Sequence, residues 1–154
     1  MFTMTPIRPT VQRLRRIPLA AGTAAPAEAR VHVRAAICAW DILVDTSAAV
    51  LLASELVTNA IRHERGETVV LVLTCTREQL RVEVHDTSPA MPAPAYAPAD
   101  AEAGRGLQLV ASLSDDWGFH RTPAGKAVFF TLAIQGDLDP GSGHRPRGGR
   151  SSVR

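Results

Sequence analysis

The chain has 154 residues, 45% of them apolar, and a mean hydropathy of +0.01, which suits a single soluble domain with one core. No apolar run reaches the roughly 18–20 residues of a membrane span, which excludes a transmembrane helix. The net charge of +2 hides an uneven distribution: residues 1–18 carry four arginines and no acid, residues 136–154 four arginines and two aspartates, and the stretch between is mildly acidic.

Residues 1–13 read as a disordered basic N-terminus, 14–135 as one folded domain, and the Gly, Arg, Ser and Pro-rich stretch 136–154 as a disordered basic tail. Leu14 to Leu19 is a short strand with Leu14 and Ile17 as its expected inward side chains. Arg15-Arg16 ahead of a weakly apolar run superficially matches a twin-arginine export signal, but the run soon reaches Glu28 and Arg30, and a first strand suits it better. Thr23 is the expected N-cap of a helix running to about Trp40, with Ala29, Val33, Ala36, Ile37 and Trp40 inward at three- to four-residue spacing. After a short connection over Asp41–Asp45, a second helix runs to Glu64-Arg65-Gly66, where glycine stops it.

That second helix is apolar almost all round, the pattern of a buried helix. One arc holds Ala53, Leu56, Val57, Ala60 and Ile61; Ser54, Thr58 and Arg62 form a narrow strip for water. Along another side, beside Ala48 and Leu52, lie Glu55, Asn59 and His63, at i, i+4 and i+8. Buried polar groups need partners, and a bound ligand or metal is one kind of partner.

Two strands follow. Thr68 to Cys75 is apolar on both faces; after a turn at Arg77-Glu78-Gln79, Leu80 to Asp86 alternates, with Leu80, Val82, Val84 and Asp86 on one face. A carboxylate thus ends the core-facing row. Thr87 to Ala103 has four prolines, seven alanines and no period, as a lid or insert does. Gly104-Arg105-Gly106-Leu107 then opens a helix through Val110, Ala111 and Leu113. Asp115–His120 and Lys126–Ile134 close the domain as a hairpin around Thr122-Pro123-Ala124-Gly125, with Val128, Phe130, Leu132 and Ile134 on one face. Cys38 and Cys75 lack metal-type spacing and read as small buried thiols in a reducing cytoplasm. Nucleic-acid binding through the basic ends is a minor reading, because the arginine tails lack interleaved aromatics.

Three features stand in order: Glu-x-x-x-Asn on a buried helix, Asp ending a core-facing strand, and Gly-x-Gly-Leu opening a helix. In this order they resemble the Bergerat-type ATP-binding fold of histidine kinases, gyrase and heat-shock chaperones. More narrowly, they resemble the bacterial anti-sigma-factor serine/threonine kinases. The resemblance is carried by Ser54-Glu-Leu-Val-Thr-Asn-Ala-Ile-Arg-His63, Val82-Glu-Val-His-Asp86, Gly104-Arg-Gly-Leu-Gln-Leu-Val110, Asp116-Trp-Gly118 and Gly125-Lys-Ala-Val128, and spans about 14–135.

The resemblance implies an α+β fold: a two-layer sandwich in which helices cover one face of a mixed, mostly antiparallel sheet. It implies ATP and Mg²⁺ as cofactors, with Asn59 as the magnesium ligand, Glu55 as general base and Asp86 accepting a hydrogen bond from the adenine amino group. Gly104 and Gly106, flanked by Arg105 and Leu107, match a glycine box whose backbone N–H groups receive phosphate at a helix N-terminus. The stretch 87–103 becomes the ATP lid. His63 shares the polar side, either as a nucleotide contact or as a packed or capping histidine. Lys126 and Arg105 read as solvated charges, with phosphate contact the alternative. Implied partners are a sigma factor and a small anti-anti-sigma-like protein phosphorylated on serine; a homodimer is compatible with the family. One departure stands out: after Asp86 many relatives have Asp-x-Gly-x-Gly, whereas this chain has Thr87-Ser88-Pro89-Ala90-Met91. A non-catalytic protein-binding regulator that keeps the fold with weak or no nucleotide binding is the alternative.

Overall fold

The structure is a computed structural model and describes residues 10–63, 68–87 and 108–135, without the side chain of His63. In chain order the elements are β1 (Arg13–Ala20), α1 (Ala25–Ala39), α2 (Thr46–His63), β2 (Thr68–Cys75), β3 (Gln79–Asp86), β4 (Asp116–Arg121) and β5 (Lys126–Ala133). Residues 108–113 form a further helical segment. Among the described residues the strands make one open sheet in the order β1-β2-β3-β5-β4, and every pairing is antiparallel. Helices α1 and α2 lie against one of its faces, giving the expected two-layer α+β architecture. None of the described helices is long and apolar enough to cross a membrane.

Period-two alternation decides which side chains enter the core. Leu71 and Leu73 of β2, Leu80, Val82 and Val84 of β3, and Val128, Phe130 and Leu132 of β5 all face the helices and are buried. From the helices come Ala29, Val33 and Ala36 of α1 with Leu52, Ala53, Leu56, Val57 and Ala60 of α2. Each large side chain so enclosed contributes about 1.5–3 kcal/mol relative to exposure. Helices α1 and α2 pack against each other, and Arg30 Nη1 donates to Ser54 Oγ across them at 2.8 Å.

Several local expectations need correction. Leu14 is 62% exposed. A strand cannot turn Leu14 and Ile17 to the same face; the inward row is Arg15, Ile17 and Leu19, with the Arg15 guanidinium 5.5 Å from the Trp40 ring centroid. Arg15-Arg16 thus belong to a paired strand, opposite Leu73 and Val72. The N-cap of α1 is Ala24 rather than Thr23, with no side-chain cap; Pro26, near the first turn, fixes φ where no N–H is needed. Cys38 is exposed on the outer side of α1, while Cys75 is buried, and burial pushes its thiol up despite nearby Arg13. Of the segment after the glycine pair, Val110 is fully buried but Leu113 is 42% exposed.

Asp41, with φ 50, makes the left-handed turn after α1 that an aspartate tolerates better than most residues. Asp45 then caps α2: its Oδ1 accepts from the Ala48 N–H at 3.0 Å, and its carbonyl from Ala49 at 2.9 Å. Just upstream, Leu43 accepts from the Gln135 N–H at 2.8 Å, which ties the start of α2 to the Ala133 end of β5. Eighteen helical residues rise about 27 Å and an eight-residue strand about 26 Å. Helix α2 therefore crosses the sheet from the Ala133 end of β5 toward the end where β3 stops and β5 starts.

The other face of the sheet carries a polar row. Arg81 Nε meets Glu83 Oε1 at 2.5 Å, and His85 Nε2 lies 2.8 Å from Glu83 Oε2. The Arg81 guanidinium stacks over the Phe129 ring at 3.7 Å, and His85 meets His120 edge-on. Burial raises the Glu83 carboxyl pKa, but hydrogen bonds and charge from His85 and Arg81 outweigh it and hold the group below its ordinary 4.5.

Two predictions follow from these contacts. Asp45→Ala should lower the urea-denaturation stability by about 1 kcal/mol through loss of the cap. A carboxyl whose pKa is lowered on folding contributes stability above its unfolded value and loses it as pH falls through the folded one. The stability advantage of the wild type over Glu83→Gln, measured by denaturation, should therefore be full at neutral pH and shrink below about 4.5.

Candidate functional site

Asp86 is the last residue of β3, in register with Lys126, the first of β5. Both side chains fall on the rows that face the helices, and both are enclosed: Asp86 is 4% exposed and Lys126 1%. Lys126 Nζ lies 3.2 Å from Asp86 Oδ1 and 3.2 Å from Oδ2. Lys126 is therefore no solvated charge. Its position two residues before Val128 extends the inward row Val128, Phe130, Leu132 by one step, and that parity was available in the sequence. A buried ion pair is tolerated only when each charge meets the other at good geometry, so the two residues depend on each other.

The turn between β4 and β5 fixes this pair from behind. Gly125 exchanges backbone hydrogen bonds with Thr122, at 3.0 and 3.2 Å. A Cβ at Gly125 would stand 2.1 Å from the Asp86 carbonyl oxygen and 2.6 Å from Thr87 Cα. Only glycine permits that backbone approach. Arg16, Val70, His85, Asp86, Thr87 and Thr122 are among the residues bordering a cavity of about 370 Å³ beside the same strand end.

Helix α2 brings Glu55 and Asn59 one turn apart on its polar side. Both are half-buried, between the enclosed Leu52, Leu56 and Ala60 and the more open surface. Neither makes a hydrogen bond or ion pair with another described residue, whereas Thr58 spends its hydroxyl on the Ser54 carbonyl at 2.8 Å. An amide oxygen and a carboxylate are thus held on a helix with their polar capacity unspent on the other described residues. That donor set fits a hard cation such as Mg²⁺, which keeps most of its own waters and asks little of the protein. Among the described residues there is no group of three or more His, Cys, Asp or Glu side chains placed to hold a metal by themselves.

Of the expected site residues the structure describes Glu55, Asn59, Asp86 and Lys126, with the backbone of His63. Asn59 lies in the later turns of α2, which approach the sheet end where Asp86 and Lys126 meet, and Glu55 lies a turn earlier. His63 ends α2, but its side chain, like all of Gly104, Arg105, Gly106 and Leu107 and nearly all of the 87–103 stretch, lies outside the described residues. The described part of the following helical segment is 108–113, and the glycine pair expected to open it lies outside the described residues.

A model of the histidine kinase-like ATPase domain matches residues 12–132, and the chain belongs to that family. No curated protein matches the chain. Membership accounts for the order of the elements and implies ATP binding as the general property of the domain.

Gly125→Ala should push the β4–β5 turn away from Asp86 and Thr87. Thermal denaturation is expected to show a loss of at least about 2 kcal/mol, with the amide chemical shifts of Asp86 and Lys126 among the most displaced in a spectrum of the folded variant.

Proposed function

We propose that the chain is an ATP-binding regulatory serine/threonine protein kinase of the anti-sigma-factor type, binding a sigma factor and phosphorylating a small anti-anti-sigma-like partner. The observation that carries this reading is the pair Glu55 and Asn59. They are half-buried beside the enclosed face of α2, one turn apart, and unspent on other described residues.

In this reading Asn59 offers its amide oxygen to Mg²⁺, and Glu55 receives the proton of the partner's serine hydroxyl as that oxygen attacks. Bound Mg²⁺·ATP supplies the phosphoryl group that is transferred. Asp86 accepts a hydrogen bond from the adenine amino group. Gly104 and Gly106, with Arg105 and Leu107, offer backbone N–H groups to phosphate, and His63 adds a nucleotide contact. The rigidity of α2 is what the chemistry asks of the protein, since such transfers depend on positioning and electrostatics.

A second reading has its own support. The Asp86 carboxylate is enclosed and ion-paired with Lys126, and no glycine follows it in Thr87-Ser88-Pro89. Both features suit a non-catalytic regulator that keeps the fold as a protein-binding platform, as a homodimer or with its partner, with weak or no nucleotide binding. Partner capture would then persist in Asn59→Ala and Asp86→Ala.

Calorimetric titration with ATP, with and without Mg²⁺, separates the two. The kinase reading expects Mg²⁺-dependent binding that Asn59→Ala weakens about tenfold or more. It further expects Glu55→Gln to bind ATP normally while phosphoryl transfer to a serine-bearing partner falls about 10²–10⁴-fold. No heat of binding at millimolar ATP would sink the enzyme and leave the regulator.

A further inference from the structure

We propose that strand β4 is a self-complementary edge, and that two copies of this chain join along it, antiparallel about Gly118, into one continuous sheet. The pairing is independent of whether the domain binds nucleotide. Strand β4 is the last of the sheet, with β5 its only strand neighbour among the described residues.

Hydrogen-bond alternation decides which backbone groups face the rim. Thr122 and Gly125 exchange both backbone bonds at the hairpin end. Counting back in steps of two, His120, Gly118 and Asp116 turn their N–H and C=O toward β5, and Trp117, Phe119 and Arg121 turn theirs outward. The Trp117 N–H accordingly donates to the carboxylate of its own neighbour, Asp116 Oδ1, at 3.0 Å, and not to β5. No proline interrupts the run from 116 to 121. An outward row of this kind is a template for an added strand.

The side chains select the strand that is added. From residue 115 the chain reads Asp-Asp-Trp-Gly-Phe-His-Arg: acids, an aromatic, glycine, an aromatic, bases. With Gly118 opposite Gly118 of a second copy, Trp117 meets Phe119 and Asp116 meets His120, and the two-fold axis repeats each pair. Strand parity keeps each pair on one face. Trp117 and Phe119 pack against the core, while Asp116 and His120 share the outer face, where His120 meets His85 edge-on. Backbone polarity agrees, since Trp117 and Phe119 both face outward and so exchange their bonds across the rim. Gly118 then falls at a non-hydrogen-bonded position, where the two Cα atoms approach to about 4.5 Å. The Phe129 ring already fills the space of a side chain there, 3.0 Å from where a Cβ would stand. Slipping the register by two residues keeps the faces but loses the match, because Asp116 then meets Thr122 or Gly118. As the Trp117 N–H takes the Phe119 carbonyl of the second copy, the Asp116 carboxylate turns to His120, so the exchange strands no polar group.

Sedimentation velocity of the full chain from about 10 µM to about 1 mM, a range suited to small interfaces, should show a monomer–dimer equilibrium. Hydrogen exchange followed by NMR locates the contact. The Phe119 amide should gain about tenfold or more in protection with concentration, while that of His120, already turned to β5, should not. The charges are read in low salt at about pH 6, acid enough for histidine to be charged. Asp116→Lys alone and His120→Glu alone should each weaken self-association about tenfold, because the axis repeats every change. Mixed in equal amounts, the two variants should associate as tightly as the wild type, since each offers the other the opposite charge at both contacts. A chain that stays monomeric at about 1 mM would overturn the proposal. So would a dimer without Phe119 protection, single variants that self-associate like the wild type, or folded variants that gain nothing on mixing. Should either variant fail to fold, protection of Phe119 in the wild type decides.

Discussion

The antiparallel pairing of β3 with β5 is the constraint on which the rest depends. Its register sets Val82 opposite Phe130 and Val84 opposite Val128, so the centre of the sheet buries its largest side chains against α2. The same register, continued one step, sets Asp86 opposite Lys126. A shift of one residue would turn Phe130 and Val128 to the polar face and separate the two charges at once. The hydrophobic pattern that folds the domain and the ion pair that marks its site are therefore one choice of alignment.

Helix α2 is the second half of that arrangement. It is anchored at its start by Asp45 and by the bond between Leu43 and Gln135, far along the sheet from Asp86. Packing against the sheet fixes its rotation: Leu52, Leu56 and Ala60 are buried, which leaves Glu55 and Asn59 half-exposed along one edge. The core thus orients the polar pair without a hydrogen bond to either from the other described residues. Such a site is held by the helix where the proposed cation and base chemistry would act.

Most of this architecture could be read from residue order. The two helices, the strand Thr68–Cys75 and the inward carboxylate at Asp86 come from long, regular periodicities, which tertiary structure rarely overrides. The failures were local. Leu14 was expected inward because it is apolar, but strand parity links Ile17 to Arg15, whose stem and guanidinium pack toward Trp40. Thr23 is a good capping residue in composition, yet the turn that starts α1 places Ala24 at the cap. Cys38 is a small thiol beside the buried Ile37 of α1, and only the helix rotation shows that it points outward. Lys126 was misread for a more instructive reason. A lysine is normally solvated, and nothing short of pairing β5 to β3 reveals the carboxylate waiting opposite. Long-range pairs of this sort are invisible to any reading that takes one segment at a time.

Strand β1 bounds the sheet on one side and, among the described residues, pairs only with β2. It carries Pro18 within its paired run, opposite Val70. A proline is tolerated there only where its missing N–H would have pointed away from the neighbouring strand. That absent donor faces the position an added strand would occupy, and Arg13, Arg15 and Arg16 put three like charges along the same element. The sheet is thereby terminated at β1 by covalent structure as well as by charge. A strand added at the β1 edge would have to be stitched across a missing bond.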